Sequence, residues 1–366
     1  MRDVYINAKC VLILDEWLME IPSTSPTPVI LTRMFQSNWI KRLWTHQEGF
    51  FPKELFVQFM DCSVKLDNIG DSDWKNAMVN KGIYTAFTSV ASMRLVTQYG
   101  LFKFGFLDMS KSKDQLWMLY KPLSHNMSVR QTTRKADECV CIATVLNLNV
   151  RLFLDIDDKP DAESATKRMA LLLKTIETFE SGIIFNSWER LQVNGLKWAP
   201  RSLLGHIGQN DEELGNGWPV KIQLNTDGTP AGLPVKFAGF SSFNFSKVTR
   251  KSIICADRAF AVQPGPDSGE FPWHGDWPLY IVEVRDNEVA WEWDKQYAVI
   301  MATIPNNDSD GIQAVIGEAV TGVEEVIVFY HLCLAVVRPL RAGEDAEWVD
   351  TVTTDVLPWG TKWLVG

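Results

Sequence analysis

Residues 37–48 read SNWIKRLWTHQE, and this stretch organises the first half of the chain. Its apolar residues recur at the spacing of one helix face, which predicts an amphipathic helix within residues 29–48. Ser37 or Asn38 would cap the N-terminus of this helix, and Gly49 would help to end it. The helix therefore carries both aromatic and charged side chains close together.

An apolar strand is predicted on each side of this helix. Residues 7–15 contain the unbroken apolar run 10–14, which is typical of a central strand covered on both faces of a sheet. Residues 55–59 read LFVQF and predict the next strand. The order strand, helix, strand is the pattern of an α/β layer.

Further helices are predicted along the rest of the first half. One spans residues 74–99, the second begins after Thr133 and ends at Asn147, and the third begins near Asp161. They would pack together or cover the sheet.

From about Val220 the pattern changes to short β-branched and aromatic runs separated by turn signals. The predicted strands are residues 235–240, 279–284, 289–293, 298–304, 314–320 and 326–337. We therefore predict an α+β protein: a truncated α/β layer with helices, followed by a β-rich region. The predicted domains are residues 1–205 and 206–366, with the boundary in the Gly/Asn/Asp-rich residues 205–217.

Composition excludes several classes of protein. Of the 366 residues, 46% are hydrophobic and 22% are charged, as in an ordinary globular chain. No apolar run approaches the ~20 residues of a membrane-spanning helix, and the first residues show no secretory leader, so we expect a cytoplasmic protein. With 36 basic and 45 acidic residues the net charge is −9, and no basic cluster stands out to bind nucleic acid or anionic lipid.

No metal site or disulfide framework is expected. The five His show no pair at the spacing of metal ligands, and the six Cys are too scattered for a disulfide scaffold. Cys139 and Cys141 are two positions apart, which differs from the Cys-x-x-Cys spacing of redox and metal motifs.

Glu48 is the carboxylate that the predicted helix presents near its C-terminus. A carboxylate in that place can act as an acid or base, or bind a pair of ribose hydroxyls. The alternative is a solvated glutamate on the polar face of the helix. Local spacing leaves both interpretations open.

A second candidate site lies in the β-rich half, where residues 273–277 read WHGDW and residues 291–293 read WEW. Trp rings beside carboxylates can bind sugars or cations. The alternative is that these rings fill a sheet face and that their NH groups bond to the backbone.

Three stretches together resemble the fungal heterokaryon-incompatibility domain family. Residues 37–48 are similar to its W-x-R-R-x-W-T-x-Q-E signature, with Lys41 in place of the first Arg. Residues 130–148 are similar to its R-x-T-S-x-x-x-D-x segment and the apolar run that follows, and residues 198–202 (WAPRS) resemble a third segment. The likeness extends to about Leu204.

The resemblance implies a role in nonself recognition between fungal hyphae and in programmed cell death. The family domain is remotely similar to the Toll/interleukin-receptor-like fold, in which a glutamate one turn after a Trp cleaves the nicotinamide bond of NAD. By this likeness Glu48 is the candidate catalytic residue, Trp44 and Arg42 are the candidate ligand-binding residues, and NAD is a candidate substrate. The likeness is one of fold and leaves open whether the chain is an enzyme.

One departure from the family concerns the residues before the signature. In the family an earlier segment supplies the first strand and helix of the sheet, and we expect this chain to lack it. A gene fragment, a degenerate paralogue and a chain that assembles with a partner are all consistent with that expectation. An uncovered apolar sheet edge would favour a protein partner or self-association.

Overall fold

The fold is α+β, with helices in the N-terminal half and a sheet-rich C-terminal region. The computed structural model describes residues 2–69, 123, 127, 130–156, 161–185, 189–204, 218–243, 259–264, 280–284, 295–302, 311–321, 326–339, 350–354, 356–357 and 360–366.

The chain divides into two compact units. The first comprises Met1–Ile176 and Ser202–Gly208, and the second comprises Glu177–Arg201 and Gln209–Gly366. Ser202–Gly208 is called the returning segment, because the chain comes back to the first unit there. The predicted domain boundary at 205/206 falls within it.

The described elements of the first unit alternate short helices with three strands. They are α1 (Arg2–Ile6), β1 (Val11–Ile13), α2 (Glu16–Met19), α3 (Thr27–Gln36), α4 (Asn38–Lys41), α5 (Thr45–Phe50), β2 (Leu55–Gln58), β3 (Ser63–Lys65), a 3-10 turn (Leu66–Asn68), α6 (Asp137–Val145), α7 (Val150–Leu154) and α8 (Asp161–Ile176).

Within the described residues, the sheet of the first unit has the order β1-β2-β3. Strand β1 pairs with β2 in parallel, and β3 pairs with β2 antiparallel. The strand predicted at residues 7–15 is present but shorter than expected, and β1 lies at the edge rather than the centre of the described part of this sheet, after helix α1. Its apolar run is not covered on both faces, because Leu12 is 47% and Leu14 is 64% exposed.

The single helix predicted within residues 29–48 was also wrong, because three helices occupy this region. Ser37 has extended backbone angles between α3 and α4, and its hydroxyl accepts the Ile40 N–H at 3.2 Å, so it is the N-cap of α4. Arg42 is extended as well and forms a parallel bridge with Gln131. Gly49 lies inside α5, which ends at Phe50.

Other predicted elements are confirmed. Strand β2 matches the run at 55–59, and α6 and α8 match the second and third of the further predicted helices. Asn147 follows α6 with a φ of 57°, a left-handed conformation that commonly ends helices and that Asn tolerates. The helix predicted at residues 74–99 lies outside the described residues.

The core of the first unit has two parts. Ile13, Val57 and Phe59 from the sheet region pack with apolar residues of α2 and α3. Helix α6 is buried at all but one of its positions and packs against α5, α7 and α8. A helix buried on all sides belongs to the interior of a unit, so α6 is the central element of this helical part.

The second unit consists mainly of strands. They are β4 (Thr178–Glu180), β5 (Pro219–Lys221), β6 (Gln223–Leu224), β7 (Pro230–Lys236), β8 (Ala238–Phe243), β9 (Ala259–Pro264), β10 (Tyr280–Val284), β11 (Tyr297–Met301), β12 (Ile312–Thr321), β13 (Ile327–Pro339), β14 (Asp350–Thr354), β15 (Val356–Leu357) and β16 (Lys362–Val365), with a 3-10 turn at Ser181–Phe185.

The large sheet of this unit has the order β14-β9-β10-β13-β12-β11-β8-β15 in its described part. Strand β16 adds to β13 in parallel and to β7 antiparallel, and β6 pairs with β7. Strands β4 and β5 form a separate pair. The long hairpin of β12 and β13 lies at the centre of the sheet.

The predicted strands at 279–284, 298–304, 314–320 and 326–337 are confirmed as β10, β11, β12 and β13. The run at 235–240 is divided between β7 and β8, and the run at 289–293 lies outside the described residues. In the second unit the sequence interpretation missed β4, β5, β6, β9, β14, β15 and β16. Most of these are short, and neighbouring strands rather than local periodicity define them.

Candidate functional site

The polypeptide that carries Glu48 is held by contacts at both ends of α4. The Trp39 N–H donates to Asp15 Oδ2 at 3.3 Å, and the other Asp15 oxygen caps α2 by accepting the Trp17 N–H at 3.1 Å. Asp15 is buried. This carboxylate therefore joins the starts of two helices.

A second attachment is the backbone bridge after α4. The Gln131 N–H donates to the Lys41 carbonyl at 2.6 Å, and the Leu43 N–H donates to the Gln131 carbonyl at 3.0 Å. These bonds keep Arg42 extended, so the chain turns sharply between α4 and α5. The break is thus caused by a partner almost ninety residues away in the sequence.

Arg130 is the buried cation beneath this turn, and only 2% of its surface is exposed. Its Nη1 donates to the Arg42 carbonyl at 2.9 Å and to the Thr45 hydroxyl at 3.2 Å. The Thr45 hydroxyl in turn donates to the Arg42 carbonyl at 2.7 Å. Burial lowers the pKa of Arg130 to about 10, and the nearby Glu48 charge partly offsets this effect, so Arg130 remains a cation at neutral pH.

Glu48 is half-buried in α5, and both of its carboxylate oxygens have a donor. The Tyr5 hydroxyl donates to Oε1 and the Trp39 Nε1–H donates to Oε2, each at 3.3 Å. Burial and the charge of Glu48 raise the pKa of Tyr5, so its hydroxyl stays protonated. Because α5 begins at Thr45, Glu48 lies in the first turn of a short helix rather than at the C-terminus of a long one.

The structure places the three predicted site residues in different surroundings. Trp44 is the residue just before α5, and its ring nitrogen donates to Asp137 Oδ2 of α6 at 3.3 Å. The side chain of Arg42 is exposed, and this residue contributes its carbonyl to the buried network. The indole that bonds Glu48 is that of Trp39.

The sequence interpretation missed Trp39 and Tyr5 as neighbours of Glu48. In a continuous helix, residues nine apart lie about 180° from each other around the axis, whereas residues four apart share a face. Spacing therefore favoured Trp44 over Trp39. Only the turn at residues 42–44, which depends on the distant Gln131, brings the Trp39 ring to Glu48.

Two further side chains of α5 lie in the interior. His46 is 1% exposed and stacks on Phe50 with ring centroids 5.8 Å apart. Neither of its ring nitrogens has a hydrogen-bond partner among the described residues. Burial, with the charge of Arg130 as a smaller cause, lowers the pKa of His46 well below its ordinary value, so its ring is neutral.

The neighbouring Gln47 donates to Cys141 Sγ of α6 at 3.5 Å, and the Cys141 thiol lies 3.6 Å from the Leu43 carbonyl. Burial raises the pKa of Cys141 to about 11. A thiol in this state is protonated at neutral pH and is a poor nucleophile. Cys141 therefore has a packing role.

Glu138, also on α6, is buried and receives two short hydrogen bonds. The Ser202 hydroxyl donates to Oε2 at 2.7 Å, and the Leu203 N–H donates to Oε1 at 2.6 Å. Burial raises the pKa of Glu138 to about 7 despite these bonds. This carboxyl group fastens the returning segment to α6.

These contacts join parts of all three motif-like stretches. The first stretch meets the second through Arg130 and through the Trp44–Asp137 bond, and the second meets the start of the returning segment through Glu138. Trp198 of the third stretch belongs to the second unit, where its ring is fully buried and donates to the Gly195 carbonyl at 2.9 Å.

Three other features considered from the sequence are a metal site, the Trp cluster and a membrane-spanning helix. Among the described residues, no group of three or more His, Cys, Asp or Glu side chains could hold a metal ion. The Trp cluster at 273–277 and 291–293 lies outside the described residues, so sugar binding there stays a prediction. No helix in the described part of the chain has the length and apolarity to cross a membrane.

Comparison with models of known protein families, with curated proteins and with solved structures finds no significant match. The function of this chain is therefore inferred from its own residues and their contacts.

Proposed function

We propose that this chain is a heterokaryon-incompatibility-like protein that takes part in nonself recognition and signals programmed cell death in a fungal cell. The observation that carries the proposal is the hydrogen bonding between motif-like stretches that are far apart in the sequence. Arg130, at the start of the second stretch, bonds residues 42 and 45 of the first stretch, and Asp137 bonds Trp44.

The pattern of these contacts supports a common structural role for the residues that resemble the family. Trp44, Thr45, Arg130 and Asp137 are positions at which the likeness was recognised, and each bonds a residue of the other stretch. Residues that a family keeps for its fold are expected to meet in this way, because buried polar groups need specific partners. We further propose a cytoplasmic location and a protein partner or self-association, because Leu12 of β1 and Leu14 after it are exposed apolar side chains that a partner would cover.

The test is inducible expression of the full chain in a filamentous fungus, with colony viability as the measurement. We expect colonies to lose viability on induction. The Trp44→Phe variant should kill fewer cells, because it lacks the bond to Asp137. Trp17→Phe is the matched control, because Trp17 is exposed on α2. Viability equal to that of the empty vector, at confirmed protein levels, would reject the proposal.

A second candidate is NAD cleavage by Glu48. It is favoured by the half-buried carboxylate of Glu48, which lies between an indole NH and a phenol hydroxyl. If Tyr5 moves away, Oε1 can accept a hydrogen bond from a ribose hydroxyl, and the carboxylate charge can stabilise the positive sugar that forms as nicotinamide leaves. Water then adds to that sugar carbon and gives ADP-ribose.

This second candidate is tested with purified protein by measuring nicotinamide release from NAD. We expect Glu48→Gln to lower the rate about 100-fold or more, the range typical for loss of a group that stabilises transition-state charge. Glu16→Gln, on an exposed position of α2, should leave the rate unchanged. NAD consumption that survives Glu48→Gln would exclude Glu48 as the catalytic residue.

A further inference from the structure

The two groups that donate hydrogen bonds to Glu48 are held in very different ways. Trp39 is fixed: its N–H bonds the buried Asp15, and its ring packs against the core formed by α2, α3 and the sheet region. The Trp39 Nε1–H therefore donates to Glu48 Oε2 from a fixed position. The orientation of the carboxylate is set from this side.

Tyr5, in contrast, belongs to the short peripheral helix α1. This helix has five residues, Val4 is 69% exposed, and most of the residues 7–10 that join α1 to β1 are exposed. In the described part of the chain, α1 packs mainly on α5. A helix this short is not stable by itself in water, so its position depends on contacts such as the Tyr5–Glu48 bond.

We propose that α1 is an intrachain cover of the Glu48 site, in which the Tyr5 hydroxyl occupies the position of a ligand hydroxyl at Oε1. This inference rests on the second proposed function only for the identity of the ligand, NAD. A phenol hydroxyl and a sugar hydroxyl are both neutral O–H donors, and they would bond the same carboxylate oxygen. The site is closed while α1 is docked and open when α1 leaves α5.

The experiment measures how fast the Glu48 carboxylate is labelled in the purified full chain by a water-soluble carbodiimide and glycine methyl ester, with peptide mass spectrometry as the readout. Tyr5→Phe removes only the hydroxyl, and Tyr5→Ala removes the ring as well. Tyr330→Phe, at an exposed position of β13, is the matched control. Labelling of Glu20, on an exposed surface position, is the internal reference.

We expect Glu48 labelling to rise by roughly tenfold in Tyr5→Phe, the order given by one hydrogen bond to a charged group, and further in Tyr5→Ala. Glu20 labelling and the Tyr330→Phe protein should match the wild type. Equal Glu48 labelling in the wild type and both Tyr5 variants, with unchanged melting temperatures, would overturn the proposal.

NAD binding by calorimetry, measured on the same proteins, separates this inference from the proposed function. If the cover and the ligand are both as proposed, Tyr5→Phe binds NAD more tightly than the wild type. Faster Glu48 labelling without NAD binding to any variant would support the cover and reject NAD as its ligand.

Discussion

Glu138 is a buried carboxyl group whose ionisation opposes folding. Its pKa is raised from 4.5 to about 7 because burial disfavours the charged form more than the bonds from Leu203 and Ser202 favour it. The folded chain therefore binds a proton at this group over a pH range in which the unfolded chain does not. Stability should fall as the pH rises from about 4.5 to about 7 and should then level off.

We predict that Glu138→Gln removes the part of the pH dependence of stability that comes from Glu138 ionisation. A Gln side chain can still accept from the Leu203 N–H and can donate to the Ser202 hydroxyl, so the packing is retained. The free energy of unfolding in urea should fall between pH 5 and pH 8 in the wild type. In the variant this fall should be smaller by about 1 to 3 kcal/mol. Glu163→Gln, at a surface pair with Lys167, is the control, and an unchanged pH response in Glu138→Gln would contradict the assignment.

At the scale of elements, the break between α3, α4 and α5 decides which side chains meet at the site. The N-cap at Ser37 starts α4 in a new direction, and the bridge between Arg42 and Gln131 starts α5 in another. A local cap and a distant pairing therefore act together. Weakening either should loosen the placement of Trp39 against Glu48.

We predict that Ser37→Ala lowers the free energy of unfolding by about 1 kcal/mol, the usual cost of losing a helix N-cap. The hydroxyl accepts the Ile40 N–H in a buried setting, so water cannot readily replace it. Ser25→Ala, in the loop before α3, should change stability by much less. Equal effects of the two substitutions in urea unfolding would show that Ser37 does not act as a cap.

Elements with a strong local signal could be predicted from the sequence, and elements defined by distant partners could not. Strand β2 and helices α6 and α8 follow from periodicity and end signals. The edge position of β1 and the turn at Arg42 depend on which segments lie beside them, and periodicity carries no such information. For the same reason Glu48 could be picked out as a candidate, while Trp39 and Tyr5 could not.

At the scale of the whole molecule, each unit contains a neutral buried histidine. Burial lowers the pKa of His46 in the first unit and of His331 in the second well below 6.5, and nearby Arg130 and Arg190 respectively add to the effect. In each case the unfolded chain binds a proton at a higher pH than the folded chain. Stability is therefore complete above about pH 6.5 and is lost as the pH falls below that value.

We predict that His331→Leu reduces this loss in the second unit. Leu cannot be protonated, so the cost of charging the ring, which burial and the charge of Arg190 create, is absent from the variant. The difference in melting temperature between pH 7.5 and pH 5 should be smaller in His331→Leu than in the wild type. If the melting temperatures of the two proteins fall equally from pH 7.5 to pH 5, His331 is not a cause of the acid sensitivity.

Specific bonds hold the stretch around residues 37–48 to α6, and a double-mutant cycle on Trp44 and Asp137 measures the strength of one of them. Trp44→Phe, Asp137→Ala and the double variant are unfolded in urea, with the Trp17→Phe and Asp137→Ala cycle as control. We expect a coupling free energy of roughly 0.5–1.5 kcal/mol for Trp44 with Asp137 and about zero for the control. A coupling of about zero for both cycles would show that this bond does not join the two stretches.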